Sequence, residues 1–153
     1  MKSLQAITEI AAPVETVWAH LTAVASYAEW NPFITKFDGE LSVGARPEIQ
    51  IAPPGARSMS FRPTITEVSE GERLEWVGRV LMPGIFDGRH SFRLEAVGHD
   101  RTRLTQAEQF SGLLVALTGG MLAKTQAGFE AMNEALRVRA EIVSARTPEA
   151  VQQ

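Results

Sequence analysis

The sequence predicts an α+β fold in which a curved antiparallel sheet of seven strands wraps around one long C-terminal helix. From Phe33 to Gly112, strand-like segments alternate with short turns, and such short links favour antiparallel hairpins over parallel crossovers. After Gly112 the pattern becomes helical until about Val143. A twisted seven-stranded sheet curls, and only the long helix can cover its concave face. These observations together predict a sheet that grips a helix.

The first thirty residues predict one strand and two short helices. Ser3–Ile10 mixes apolar and polar residues in rough alternation, which is typical of a strand. Proline suits the first turn of a helix, and apolar residues follow at helical spacing, so Pro13–Thr22 is predicted to be an amphipathic helix. A second short helix is predicted over Val24–Trp30. It must end before Pro32, because proline disfavours helical backbone in the residue that precedes it.

Six further strands are predicted between the short helices and the long one. Turn residues separate them, as in the Pro53-Pro54-Gly55 segment. Pro63 lies inside one predicted strand and indicates an edge or bulged position. The predicted ranges are Ile34–Leu41, Ala45–Ala52, Met59–Ser69, Arg73–Leu81, Ile85–Val97 and Arg101–Ser111.

The predicted C-terminal helix carries a single apolar stripe. Met121–Val143 alone would span roughly 35 Å, enough to cross a small domain. The stripe recurs at steps of three and four residues and comprises Leu122, Thr125, Phe129, Met132, Leu136 and Ala140. The last residues have little to bury, so we expect a single domain over residues 1–145 and a disordered tail over residues 146–153.

Composition excludes several classes of function. The chain has 153 residues with 15 basic and 18 acidic side chains, and a net charge of −3 argues against a nucleic-acid partner. It has no cysteine, which removes disulfides, thiolate nucleophiles and cysteine zinc sites. The three histidines do not have the spacing of metal ligands, so we expect neither a bound metal nor a cofactor. The chain has neither an apolar run of roughly 20 residues nor a signal peptide, which predicts a cytoplasmic protein. A monomer and a homodimer are both compatible with the sequence.

Five motifs carry a resemblance to a known family. They are AAPVETVW at residues 11–18, YAEWNPF at 27–33, GRHSF at 88–92, EQFSGLL at 108–114 and FEAMNEAL at 129–136. Together they resemble the SRPBCC superfamily of START-related and polyketide cyclase-like proteins with the helix-grip fold, in the same order along the chain. The resemblance implies a hydrophobic ligand in a cavity between sheet and long helix. Such cavities commonly measure about 300 to 1,000 Å³.

The hairpin turns predict which side chains share a face of the sheet. The turn at residues 82–84 places Trp76 opposite His90, and the turn at residues 98–100 places His90 opposite Glu108. His90 and Glu108 therefore point into an otherwise apolar concavity. The interior face collects Leu74, Trp76, Phe86, His90, Phe92, Leu94, Leu104, Glu108 and Phe110.

The His90–Glu108 pair is open to three interpretations. Burial disfavours the charged form of a carboxyl group, and an adjacent imidazole can share a proton with it. The pair is then a general acid–base catalyst, an anchor for the polar group of a ligand, or two buried polar groups that satisfy each other. The sequence alone does not choose among them.

The remaining candidate cavity residues are mostly apolar, and for each the alternative reading is ordinary core packing. Arg62 is a candidate inward cation whose strand pattern is compatible with either face. The candidate lining comprises Trp30, Phe33, Leu74, Trp76, Phe86, Phe92, Phe110, Met121, Leu122, Thr125, Phe129 and Met132.

The leading functional prediction is binding of a hydrophobic or aromatic small molecule, as a carrier or a sensor. One alternative is a cofactor-free enzyme similar to polyketide cyclases and dehydratases, with His90 and Glu108 as acid and base. A further alternative is a stress-response or regulatory interaction protein that needs no ligand. The wall composition of the cavity is compatible with all three.

Overall fold

The computed structural model describes residues 1–80, 84, 86–113, 115 and 119–146, without the side chains of Val80 and Phe86. Two of the predicted turn residues (82 and 83), the predicted lining side chain of Phe86 and the tail from residue 147 lie outside the described residues. The described residues include the following helices and strands. They are β1 (Lys2–Ile10), α1 (Val14–Thr22), the 3₁₀ turn (Val24–Ser26), α2 (Tyr27–Trp30), β2 (Ile34–Asp38), β3 (Glu48–Ile51), β4 (Met59–Phe61), β5 (Thr64–Ser69), β6 (Arg73–Val80), β7 (Phe86–Gly98), β8 (Arg101–Ser111) and α3 (Gly119–Arg146).

The strands form two antiparallel sheets. The larger has the order β1-β8-β7-β6-β5, and the smaller has the order β2-β3-β4. The loop between β2 and β3 bonds to β5 of the larger sheet, through Gly44 N–H to the Ile65 carbonyl (2.8 Å) and Ile65 N–H to the Ala45 carbonyl (2.9 Å). The predicted α+β class with a long C-terminal helix is confirmed. The predicted single sheet of seven strands is corrected to eight strands in two sheets among the described residues.

Proline accounts for the additional strand. The predicted strand Met59–Ser69 is divided at Arg62-Pro63, so that β4 ends at Phe61 and β5 begins at Thr64. Pro63 has no amide hydrogen to donate to a ladder, and the chain leaves one sheet and enters the other at this point. The predicted irregularity at Pro63 is therefore the boundary between the two sheets.

The turn after α2 directs Phe33 toward the interior. Pro13 has extended backbone and lies immediately before α1, so the helix begins one residue later than predicted. After α2, the side-chain oxygen of Asn31 accepts hydrogen bonds from the backbone N–H groups of Phe33 (3.0 Å) and Ile34 (2.8 Å). This local turn fixes the start of β2. Phe33 and Ile34 are both buried as a result.

The apolar stripe of α3 is largely buried, as predicted. Phe129, Met132, Leu136 and Ala140 have no exposed surface. The helix packs mainly against β1 and α1. The Gln126 amide also donates a hydrogen bond to the Gln5 carbonyl in β1 (2.8 Å). The helix thus covers the edge strand of the larger sheet, which would otherwise present unpaired backbone groups.

The outer face of the larger sheet buries the carboxyl group of Glu75. Its side chain is 9% exposed and accepts hydrogen bonds from Thr66 (2.9 Å), Arg73 (2.7 Å) and Arg89 (2.6 Å). Burial by itself raises the pKa of Glu75. The hydrogen bonds from Arg73, Thr66 and Arg89 outweigh that effect and hold the pKa below its ordinary value of 4.5.

We expect Glu75→Gln to destabilise the protein at neutral pH, and the difference from wild type to shrink as the pH falls below 4.5. The folded-state pKa lies below that of the unfolded chain. The carboxylate therefore contributes its full stabilisation above the unfolded pKa and loses it as the pH falls through the folded pKa. Urea denaturation midpoints over acidic to neutral pH check this. Glu70→Gln, an exposed carboxylate in the β5–β6 turn, is the control. A Glu75→Gln difference that is constant with pH would contradict the expectation.

Candidate functional site

A small internal cavity lies between the two sheets. Its volume is about 30 Å³, which is room for about one water molecule. The cavity expected from the family resemblance is ten or more times larger. Its wall is formed by strand residues from both sheets, with Phe33 just before β2. The lining residues are Phe33, Ile34, Ile51, Phe61, Trp76, His90 and Glu108.

Two phenylalanine rings account for the small volume. A Cβ at Gly128 of α3 would overlap the Phe33 ring, and a Cβ at Gly78 of β6 would lie 3.2 Å from the Phe61 ring. Each ring therefore occupies space that a missing side chain leaves open. The Phe33 ring also meets Phe129 edge-on, with centroids 5.5 Å apart. Phe33 thus separates the cavity from α3, so the cavity lies between the sheets rather than directly against the helix.

The predicted register of the central hairpins is confirmed. Trp76 pairs with His90 across β6 and β7, and His90 pairs with Glu108 across β7 and β8. The one departure is at the far end of the second hairpin, where Gly98 pairs with Arg101 and a bulge leaves Val97 unpaired in the ladder. The bulge lies beyond the site, so it leaves the faces of the strands unchanged.

His90 is enclosed by aromatic rings and polar partners. Trp76 stacks on its imidazole with centroids 5.0 Å apart and planes 7° apart, and Phe129 meets it edge-on at 5.0 Å. His90 Nδ1 lies 3.2 Å from Glu108 Oε2. The side chain of His90 is 5% exposed and that of Glu108 is 17% exposed. Of the two groups, Glu108 is therefore the one that solvent or a ligand reaches more readily.

Two polar residues outside the predicted site complete this arrangement. Gln106 and Asn133 are fully buried. Gln106 Oε1 lies 3.0 Å from His90 Nε2, and Gln106 Nε2 donates to Asn133 Oδ1 (2.8 Å). Asn133 Nδ2 in turn donates to the Ala6 carbonyl (3.1 Å). The burial of Gln106 could have been predicted from its position on the interior face of β8, opposite Phe92. For Asn133 the signal was its spacing, four residues after Phe129 and three before Leu136, which places it on the buried face of α3.

The other candidate lining residues belong mostly to the core around the cavity. Phe33 and Trp76 do line the cavity. Leu122 is half-buried and lies outside the lining. Those that are buried without lining it are Leu74, Phe92, Phe110, Thr125, Phe129 and Met132.

Two candidate lining residues lie elsewhere. Met121 is 44% exposed, because successive helix residues point about 100° apart and Leu122 occupies the inward direction. Trp30 is half-buried and packs against Tyr27, with the Arg139 guanidinium 5.9 Å from its ring centroid. Trp30 therefore stabilises the contact between α2 and α3 and does not rim the cavity.

The remaining charged candidates do not face the cavity. Arg62 is 61% exposed and pairs with Glu48 at 3.1 Å, so it is not an inward cation. His99 is exposed in the turn between β7 and β8. His20 is half-buried, and burial together with the nearby Arg139 lowers its pKa.

Neither a metal cluster nor a membrane span is found in the described part of the chain. There, no three histidine, aspartate or glutamate side chains converge as metal ligands would. Among the helices with described residues, none is long and apolar enough to cross a membrane.

Several solved structures share this fold. A START superfamily protein from Mycobacterium smegmatis has a TM-score of 0.68 at 20% identity, covering 92% of this chain and 98% of that one. The Zhui aromatase/cyclase from Streptomyces sp. R1128 has a TM-score of 0.70 at 16% identity, covering 97% of both chains. A protein from Thermus thermophilus has a TM-score of 0.71 at 17% identity, covering 94% of this chain and 99% of that one. At such identities the likeness establishes the fold.

Sequence comparison assigns the family. No curated protein matches the chain. The family model described as polyketide cyclase / dehydrase and lipid transport matches residues 1–141. That match spans both sheets, the two short helices and most of α3. The chain therefore belongs to the polyketide cyclase / dehydrase and lipid transport family, within the SRPBCC superfamily.

Proposed function

We propose that the protein binds a small hydrophobic or aromatic molecule in the cavity between its two sheets, as a carrier or a sensor. The observation that carries this proposal is the position of Glu108 in a cavity wall whose other described residues, except His90, are apolar. Its Oε2 is held by His90, while its Oε1 lies over Gly88 and has no hydrogen bond within the described part of the chain. Apolar walls with a few placed polar groups are typical of small-molecule sites. The family description, which names polyketide and lipid chemistry, supports the same class of ligand.

A ligand larger than water has to displace a side chain, and Phe61 is the residue we expect to move. Phe61 is half-buried in β4, a strand of three residues at the edge of the smaller sheet. Phe33, by contrast, is 2% exposed and packs between Phe129 and Gly128. Short edge strands with few buried contacts open at lower free-energy cost than the core does. The proposed entry path therefore passes β4.

The neutral dye N-phenyl-1-naphthylamine, whose fluorescence rises on transfer from water to an apolar site, tests this proposal. We expect saturable binding that becomes about tenfold tighter in Phe61→Ala, a change of about 1.4 kcal/mol, because the ligand no longer has to displace the ring. The control is Met59→Ala, since Met59 is in the same strand, is 41% exposed and does not line the cavity. Absence of saturable binding in both wild type and Phe61→Ala would contradict the proposal and favour an interaction protein without a ligand.

A second candidate is a cofactor-free acid–base catalyst, which the His90–Glu108 contact favours. A carboxyl group that shares a proton with an imidazole can remove a proton beside a carbonyl group and return it to a leaving hydroxyl group. Dehydration of 4-hydroxy-4-phenylbutan-2-one to its enone, followed by absorbance, is the test. Turnover that Glu108→Gln abolishes would support this candidate. If the protein binds the dye but dehydrates the substrate no faster than buffer does, the enzyme candidate fails and the carrier or sensor function stands.

A further inference from the structure

The buried amide chain behind His90 has a fixed direction. Asn133 Nδ2 lies 3.1 Å from the Ala6 carbonyl oxygen, and Gln106 Nε2 lies 3.4 Å from the Phe129 carbonyl oxygen. A backbone carbonyl can only accept a hydrogen bond, so each amide must present its nitrogen to the backbone. Asn133 Oδ1 then accepts from Gln106, which leaves Gln106 Oε1 facing His90.

This direction determines the proton on one ring nitrogen of His90. Gln106 Oε1 has no hydrogen to donate, so His90 Nε2, at 3.0 Å, must carry the proton of that hydrogen bond. The opposite tautomer would place a lone pair against an amide oxygen. Reversing the Gln106 amide would instead bring its oxygen against the Asn133 oxygen and the Phe129 carbonyl. Gln106 and Asn133 are therefore positioning residues that act through His90.

The other ring nitrogen then determines what Glu108 presents to the cavity. His90 Nδ1 and Glu108 Oε2 are 3.2 Å apart, and one proton on that line satisfies both. If the proton is on Nδ1, Oε1 is a carboxylate oxygen. If it is on Oε2, Oε1 is the carbonyl oxygen of a neutral acid. Oε1 is a hydrogen-bond acceptor in both arrangements.

We propose that the protein selects hydrophobic ligands that carry a hydroxyl or N–H donor, and discriminates against ligands whose polar group only accepts or is anionic. This inference rests on the proposed function and adds the class of ligand. A donor group would bind Glu108 Oε1, whereas an ether oxygen would leave it unpaired. An anion would meet an acceptor oxygen in a cavity whose described lining has no lysine or arginine.

Three naphthalene probes of similar size test the selection. By titration calorimetry we expect 2-naphthol to bind about tenfold more tightly than 2-methoxynaphthalene, and 2-naphthoate to bind more weakly than both. Glu108→Leu should abolish the preference for 2-naphthol. Thr102→Val is the control, because it removes a different buried hydrogen bond, to the Ala12 carbonyl, while the preference should remain. Equal affinities for all three probes in wild type would overturn the inference and leave the proposed function standing.

Histidine side-chain NMR tests the proton arrangement without a ligand. In ¹⁵N–¹H correlation spectra of the whole protein, with His90 assigned by its loss in His90→Gln, we expect a protonated Nε2. Gln106→Leu should move the neutral ring to the Nδ1–H form, which donates to Glu108, while Thr102→Val should not. An unprotonated Nε2 in wild type would overturn the inference whatever the probes do. If no probe binds, the proposed function fails, and with it the selection, while these spectra still report the proton arrangement separately.

Discussion

Replacing Phe129 by alanine is expected to lower the free energy of unfolding by about 3–5 kcal/mol. The Phe129 side chain is fully buried, and its ring meets both Phe33 and His90 edge-on. Removing the ring takes away apolar contacts from both and leaves a void, because α3 and the larger sheet are held apart by the rest of the core. Urea denaturation at neutral pH measures the change.

The matched control for Phe129→Ala is Val138→Ala. Val138 is also in α3 but is 42% exposed, so we expect a change within about 0.5 kcal/mol. If Phe129→Ala cost less than about 1 kcal/mol, Phe33 or His90 would have to collapse into the vacated space. That result would contradict the rigid packing by which Phe33 closes the cavity toward α3.

The second large effect is expected for Asn133→Leu, at about 2–4 kcal/mol. Leucine has the same number of side-chain heavy atoms as asparagine and creates no cavity. It leaves the Ala6 carbonyl without its Asn133 donor, and it leaves Gln106 Nε2 with only the longer contact to the Phe129 carbonyl. Buried polar groups that lose their partner lose hydration without compensation. Urea denaturation of Asn133→Leu against wild type measures this cost.

A double-mutant cycle with Gln106→Leu separates the network from simple packing. We expect the double variant to cost at least about 1 kcal/mol less than the sum of the single variants, because replacing both partners removes the unpaired group that each single variant leaves. Strict additivity would show that Gln106 and Asn133 are not energetically coupled. Thr102→Val combined with Asn133→Leu serves as the additive reference, since Thr102 bonds to Ala12 outside the network.

Much of the site geometry was predictable, because the turn of a short hairpin determines which residues of its two strands lie opposite each other. The turns at both ends of β7 place His90 between Trp76 and Glu108, and side chains alternate between faces along each strand. Helical periodicity likewise predicted the buried stripe of α3. The strand count was less predictable. A proline in a strand pattern indicates a break in the ladder but does not show whether the chain continues in the same sheet, as at Pro63.

The polar network was predictable only in part. Gln106 shares the interior face of β8 with Leu104 and Glu108, so strand alternation alone places it inside. The hydrogen bond of Asn133 can be predicted only if the crossing of α3 over β1 is known, because its partner is the Ala6 carbonyl. The helical period places Asn133 on the buried side of α3, but it does not identify the group to which the side chain bonds. The direction of the hydrogen bonds depends on that backbone partner, which sequence pattern does not identify.

Local period and turn length suffice to predict the fold class, the register of the central strands and the pairing of His90 with Glu108. The amount of space beside that pair does not follow from them. The cavity volume depends on where the Phe33 and Phe61 rings rest, and each rests against a glycine on a distant element, Gly128 or Gly78. Such contacts join residues far apart in the chain, and packing in three dimensions decides them.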